Sequence, residues 1–145
     1  MHKGQCLCGA VKVSTAKPVD KVRVCHCSLC QKWHGGPGFN VACGSDLHIE
    51  GADAISTYAH SPAGERTFCK HCGTHLFYHA FNLSTYFVSA SLFEESKHAT
   101  LTIQFYTDSK PEYYNFVERT GMLTEQDIAR NKRFSSDDSC DHRCD

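Results

Sequence analysis

Three cysteines fall within six positions of VCHCSLCQKWHGG, residues 24–36: Cys25, Cys27 and Cys30, with His26 between the first two. FCKHCGT adds Cys69 and Cys72, and GQCLCG adds Cys6 and Cys8. Disulfides suit these spacings poorly, because bridging Cys6 to Cys8 or Cys25 to Cys27 would close a small, strained ring. Metal ligation suits them well. The Cys-x-x-Cys at Cys69 can grip one face of a zinc tetrahedron, and Gly73 after it allows the left-handed backbone such a turn needs. It requires a second pair. Side chains two apart on an extended segment point to one side, so Cys6 and Cys8 supply it. The four together make a closed, structural zinc site. Cys25, Cys27 and Cys30 are then left as a second, three-sulfur site. Three protein ligands plus an open position is the layout of a catalytic zinc, with water or a substrate thiol as the fourth ligand. The same sulfurs also suit a second structural zinc completed by Cys43, His34 or His26, although His26, between two ligands, should point away from both. Spacing leaves the two readings open.

Composition says where such sites make sense. The chain has 145 residues, 41% hydrophobic and 11% aromatic, with a net charge of −1 and ten cysteines. That length holds one domain with a real core. The charge gives no basic footprint for nucleic acid or an anionic membrane. The N-terminal MHKGQCLCGAVKV lacks the apolar core of a signal peptide, and no apolar run reaches the ~20 residues needed to span a bilayer. A soluble cytoplasmic protein is expected, and there clustered thiols stay reduced and bind metal.

The elements that must hold these sulfurs are short. VKVSTA (11–16), GFNVACG (38–44), STYAH (56–60), HLFYHAF (75–81), TYFVSASLF (85–93) and LTIQFYT (101–107) are rich in β-branched and aromatic residues. Turn-forming residues separate most of them, as at Lys17–Pro18–Val19, Ser45–Asp46, Gly51–Ala52–Asp53 and Ser61–Pro62–Ala63–Gly64. The pattern predicts a mainly β domain of antiparallel strands over residues 1–134. A short helix is expected over 124–132, with Thr124 as its N-cap and acidic residues in its first turn. The polar SSDDSCDHRCD, 135–145, is expected to be a disordered tail, its Cys140, His142 and Cys144 incidental thiols and imidazole rather than a metal site.

Read in order, GQCLCGAV, CHCSLCQK and FCKHCGTHL resemble the motifs of the glutathione-dependent formaldehyde-activating enzyme family, also called the centromere-protein-V family. DSKPEYYNF, 108–116, resembles the family's closing segment, so the likeness spans roughly residues 4 to 116. The resemblance implies a fold of several coiled β-sheets with zinc-ribbon-like knuckles, shared with B-type methionine sulfoxide reductases. It implies a structural zinc on Cys6, Cys8, Cys69 and Cys72 and a second zinc on Cys25, Cys27 and Cys30. It also implies condensation of glutathione with formaldehyde to S-hydroxymethylglutathione, a carbon–sulfur lyase reaction.

The leading expectation is therefore a zinc enzyme acting on glutathione or another small thiol or its aldehyde adduct. His26 or His34 could move the proton. Arg23, Lys32, Arg66 and Lys70 lie near the motifs and could meet glutathione's carboxylates, or be solvated charges. Trp33, the sole tryptophan, belongs either beside the second zinc or in the core. The alternative is a non-catalytic zinc module that binds a protein or nucleic acid. A sulfoxide-reductase chemistry would need a late reactive cysteine, and past Cys72 only Cys140 and Cys144 remain. The sequence carries no signal of oligomeric state.

Overall fold

The computed structural model describes residues 1–130. The expected tail and the last positions of the expected C-terminal helix lie outside the described residues.

Among the described residues, eleven strands, two short α-helices and five 3-10 turns make up the regular structure. The first sheet pairs β1 (His2–Gln5), β2 (Lys12–Thr15) and β5 (His48–Glu50) in the order β1-β2-β5. The second sheet has eight strands: β3 (Lys21–Cys25), β4 (Gly38–Ala42), β6 (Ile55–Ser61), β7 (Gly64–Cys69), β8 (His75–Ala80), β9 (Thr85–Ser89), β10 (Thr100–Phe105) and β11 (Gly121–Leu123). Its order is β11-β10-β3-β4-β9-β8-β7-β6. The mainly β expectation holds, with one refinement. β10 runs parallel to both β3 and β11. Alternating side chains mark a strand but carry no information on its direction, which here follows from the long excursion between β3 and β10.

Two apolar cores result. The larger holds Val11, Val13, Val41, Leu76, Val88 and Phe93, each at most 2% exposed, together with Cys6 and Cys69. Burying each such aliphatic side chain contributes ~1.5–3 kcal/mol. The smaller packs Cys25, Cys27 and Cys30 against Phe105, Tyr106 and Ile128. Ile128 comes from α2 (Glu125–Arg130), whose start is closed reciprocally: Asp127 N–H donates to Thr124 Oγ1 at 3.1 Å and Thr124 N–H to Asp127 Oδ2 at 2.9 Å. This capping box confirms the helix and its N-cap.

The helix α1 (Ser28–His34) is new relative to the sequence reading. Its N-cap is Cys27, whose sulfur accepts from Cys30 N–H at 3.4 Å, and its C-cap is Gly35. α1 lies so close over β4 that a Cβ on Gly38 would fall 2.8 Å from the His34 ring and 3.6 Å from Cys30 Cβ. A glycine at 38 thus lets Cys30 approach the sheet.

A bulge shapes the same face further along. Arg66 pairs with Tyr78 but Phe68 pairs with His75, so β8 spends two residues opposite Thr67 alone. His75 and Tyr78, three apart, consequently share one face. The buried Thr67 fills the broken ladder: its Oγ1 donates to Phe77 O at 2.8 Å and accepts from Phe77 N–H at 3.1 Å.

Candidate metal centres and the adjoining cavity

The seven sulfurs divide four and three. Cys6, Cys8, Cys69 and Cys72 bring their Sγ atoms within 4.8 Å of one another, and so do Cys25, Cys27 and Cys30. All seven are free of disulfides. In the first group Cys6 and Cys8 Sγ are 3.6 Å apart and Cys8 and Cys69 Sγ 3.7 Å. A tetrahedron with Zn–S bonds of ~2.3 Å has edges of about 3.8 Å, so the spacing fits a zinc–thiolate cage. Disulfide sulfurs would sit at ~2.05 Å.

Two tight turns supply the first group. Gly9 N–H donates to Cys6 O and Val11 N–H to Cys6 Sγ, at 3.1 and 3.3 Å. In the second turn Gly73, at φ 76°, donates to Cys69 O at 2.7 Å, as the left-handed expectation required. Thr74 ties the turns together. Its Oγ1 accepts from Leu7 N–H at 3.1 Å and lies 3.1 Å from Cys72 Sγ. That hydroxyl, with backbone N–H groups behind it, lowers the Cys72 thiol to about 5. Ala10 N–H pulls Cys8 the same way, but burial and the sulfurs of Cys6, Cys72 and Cys69 outweigh it and push Cys8 up to about 12. Four crowded thiols oppose each other's ionisation, and a bound dication removes that conflict.

The second group is wholly buried. Cys25 ends β3, and Cys27 and Cys30 belong to the first turn of α1. His26 lies between, fully buried, with both ring nitrogens engaged: Nδ1 is 2.7 Å from Tyr114 Oη and Nε2 2.8 Å from Gln104 Oε1. Gln104 has only its amide oxygen at that contact, because its Nε2 donates to Thr120 Oγ1. His26 Nε2 is therefore the donor and Nδ1 accepts from Tyr114, so the tautomer is fixed. Gln31 Nε2 also donates to Tyr114 Oη, at 2.6 Å. Burial lowers the His26 pKa and keeps the ring neutral.

A cavity meets the second group. Its wall includes Cys25 and Cys30, His34 of α1, Asn40 of β4, and Arg66 and His75 of β7 and β8. His26 is absent from that lining and His34 is part of it. His34 is held down to about 4 by desolvation of its ring against the cavity wall, then by repulsion from His75 and Arg66, although the residue as a whole is exposed. Trp33 stacks on His75, ring centroids 4.5 Å apart, and also lines the wall. It therefore takes the place beside the second sulfur group. Cys43 joins neither group; it is fully buried in the larger core, with its thiol raised to about 11 by burial. Among the four cations, Arg66 is 6% exposed and faces the cavity, Arg23 lies 5.3 and 5.8 Å over the rings of Phe105 and Phe87, and Lys32 and Lys70 are exposed. Cys140, His142 and Cys144 lie outside the described residues.

The family profile of the glutathione-dependent formaldehyde-activating enzyme matches residues 1–109. The chain belongs to that family. An uncharacterised lyase of Schizosaccharomyces pombe is 31% identical over 131 residues, 90% of this chain and 96% of that one. A Halomonas elongata protein provisionally named glutathione-dependent formaldehyde-activating enzyme is 34% identical over 83 residues, 51% of this chain and 53% of its own. The crystal structure of a Rhodobacter sphaeroides protein superposes with a TM-score of 0.54 at 26% identity, covering 63% of this chain and 87% of that one. Within the formaldehyde-activating family, this chain has both cysteine groups assembled and compatible with zinc.

Sequence reasoning missed Asn40, His75, Tyr78 and Tyr114. The first three reach the site through strand pairing. Tyr114 sits in the quoted DSKPEYYNF, so its position was visible while its partner was not. No helix among the described residues is long and apolar enough to cross a membrane.

Proposed function

We propose that this protein is a zinc-dependent carbon–sulfur lyase-type enzyme that joins glutathione, or a similar small thiol, to formaldehyde or a small aldehyde. One observation carries the reading: a compact three-sulfur group places two of its members, Cys25 and Cys30, in the wall of a cavity. Cys6, Cys8, Cys69 and Cys72 would hold one zinc as a structural clamp, and Cys25, Cys27 and Cys30 would hold the other. Zinc at the second group would supply Lewis acidity toward a thiol sulfur or an aldehyde oxygen.

The remaining work falls to side chains. In the forward reaction a carbon–sulfur bond forms, the aldehyde π bond breaks, and the thiol proton ends on the new hydroxyl. His34, neutral and on the cavity wall, takes that proton and returns it to the oxygen. Asn40 Oδ1 is buried with no hydrogen-bond donor among the described residues, so it accepts from the hydroxyl being formed. Trp33, Phe87 and Phe105 line the cavity and limit water around the adduct. His26, held from both sides, fixes the Cys25–Cys27 segment rather than moving the proton.

The test uses the zinc-loaded chain with glutathione and formaldehyde, following adduct formation by NMR against the uncatalysed rate. Acceleration that disappears in Cys27→Ser and falls at least tenfold in His34→Gln is expected. A cobalt-substituted protein should change its visible spectrum on adding glutathione. An unaccelerated reaction together with an unchanged cobalt spectrum refutes the proposal.

A further inference from the structure

The three-sulfur group is carried by two bodies. Cys25 belongs to the large sheet. It ends β3, paired with Gly38 of β4 and Phe105 of β10, and His26 N–H extends that ladder by donating to Phe105 O at 2.9 Å. Cys27 and Cys30 belong to α1, a helix of seven residues whose one buried member is Cys30. A helix this short has little stability of its own, so its seat on the sheet depends on tertiary ties. That seat sets how far the sulfurs of Cys27 and Cys30 lie from the sulfur of Cys25.

A single atom bridges the two bodies. Tyr114 Oη donates to Nδ1 of the sheet-anchored His26 at 2.7 Å and accepts from Gln31 Nε2 of α1 at 2.6 Å. Gln31 directly follows Cys30, so each end of the bridge is next to a sulfur ligand in the chain. Tyr114 is braced in turn. Lys110 Nζ donates to its carbonyl at 2.6 Å and lies 5.2 Å from its ring centroid. The ring packs on His26 and Phe116, at centroid distances of 5.5 and 5.7 Å. Tyr114 belongs to the irregular stretch 110–120 before β11, beyond the residues 1–109 that the family profile matches.

We propose that Tyr114 is a positioning residue of the second metal centre: its hydroxyl holds α1 at the distance from β3 at which Cys25, Cys27 and Cys30 share one zinc. Groups that orient metal ligands from behind govern metal affinity nearly as strongly as the ligands do. Here the oriented object is a whole helix, and the bridge through His26 and Gln31 acts on both limbs of the cysteine motif at once. The inference rests on the two-zinc reading above and assigns the affinity of the second ion to a residue that touches neither the metal nor the substrate.

The test compares the two zinc ions within one molecule. The zinc-loaded full chain is titrated with a competing chelator, and metal analysis gives the zinc retained at each step. Cys30→Ser identifies which step belongs to the second group. Tyr114→Phe should weaken the second zinc by about 10- to 100-fold and leave the first within about threefold. Gln31→Met, which removes one arm of the bridge, should weaken the second zinc by about three- to tenfold. Added to Tyr114→Phe, it should change little further, because its partner is already gone. The first zinc is the internal control: a general loosening of the fold would release both ions together. Equal weakening of both ions in Tyr114→Phe, no weakening of either, or additive effects of the two substitutions overturns the inference. Should Tyr114→Phe not fold, Gln31→Met decides alone, and an unchanged second affinity there overturns it. An unsubstituted chain that binds a single zinc rejects the two-zinc reading and the inference with it. Selective loss of the second zinc, without acceleration of the formaldehyde reaction by the unsubstituted chain, keeps the positioning role and rejects the enzyme reading.

Discussion

Replacing Thr67 by valine tests how the site's two aromatic walls are held. The substitution keeps the β-branched shape and removes only the hydroxyl. In the structure that hydroxyl answers both the N–H and the C=O of Phe77, at 3.1 and 2.8 Å, where the bulge leaves no ladder partner. Thr67 is 1% exposed, so water cannot take over. An orphaned buried N–H costs ~1–3 kcal/mol, and a carbonyl less because it has a second lone pair. Burying a methyl in place of the hydroxyl returns roughly 1 kcal/mol. The net expectation is a loss of about 2 kcal/mol, or roughly 4–8 °C in Tm for a chain of this size. Urea denaturation of the zinc-loaded protein gives the number directly, with Thr67→Ser expected to recover at least half of it. Because the bulge turns His75 and Tyr78 toward one cavity, affinity for glutathione should fall with stability in the valine variant and return in the serine variant. A valine variant within 0.5 kcal/mol of the original protein would refute the claim that this hydroxyl closes the bulge.

The other expectations follow from single contacts. Tyr114→Phe strips the donor from Nδ1 of the fully buried His26, in a contact that Tyr114 covers from a half-buried position, so stability should drop by ~1–3 kcal/mol, read from the urea midpoint. Cys69→Ala should leave about one zinc per chain and lower Tm by roughly 10 °C or more, while Cys30→Ser should also lose about one zinc but melt nearer the original, as measured by metal analysis and calorimetry. Asp46 accepts from Ala16 N–H at 2.7 Å, and this bond, then Thr15 and His48, holds its carboxyl below the ordinary carboxylate value. The folded pKa is depressed, so the contribution is present above about pH 4 and disappears as pH falls through the folded value. Asp46→Asn should therefore show a shallower loss of Tm below about pH 4 than the unsubstituted protein.

Much of the site was legible because its information is local. Cys69-x-x-Cys72 with Gly73, and Cys6-x-Cys8, each describe one turn, and the turn's backbone N–H groups come with the sequence. The six apolar runs each overlap one of the strands found. Three of the other five strands, β1, β5 and β11, are three or four residues long with mostly exposed side chains, too brief and polar for alternation to register. α1 escaped notice because its N-cap is a cysteine sulfur, outside the usual Ser, Thr, Asp and Asn set. Thr124 and Asp127, by contrast, are the expected cap types, and α2 was expected.

By itself the sequence determined that seven thiols are available in three tight groups, and that the chain is mainly β, since spacing and side-chain type act over a few residues. Only the tertiary structure decided that Cys43 stays out of both groups, that His26 is locked between Tyr114 and Gln104 while His34 takes the cavity wall, and that Arg66 lies buried in that wall. The physical reason is register: which side chains meet is fixed by strand pairing and by one bulge in β8, and a shift of a single residue there would turn His75 or Tyr78 to the opposite face.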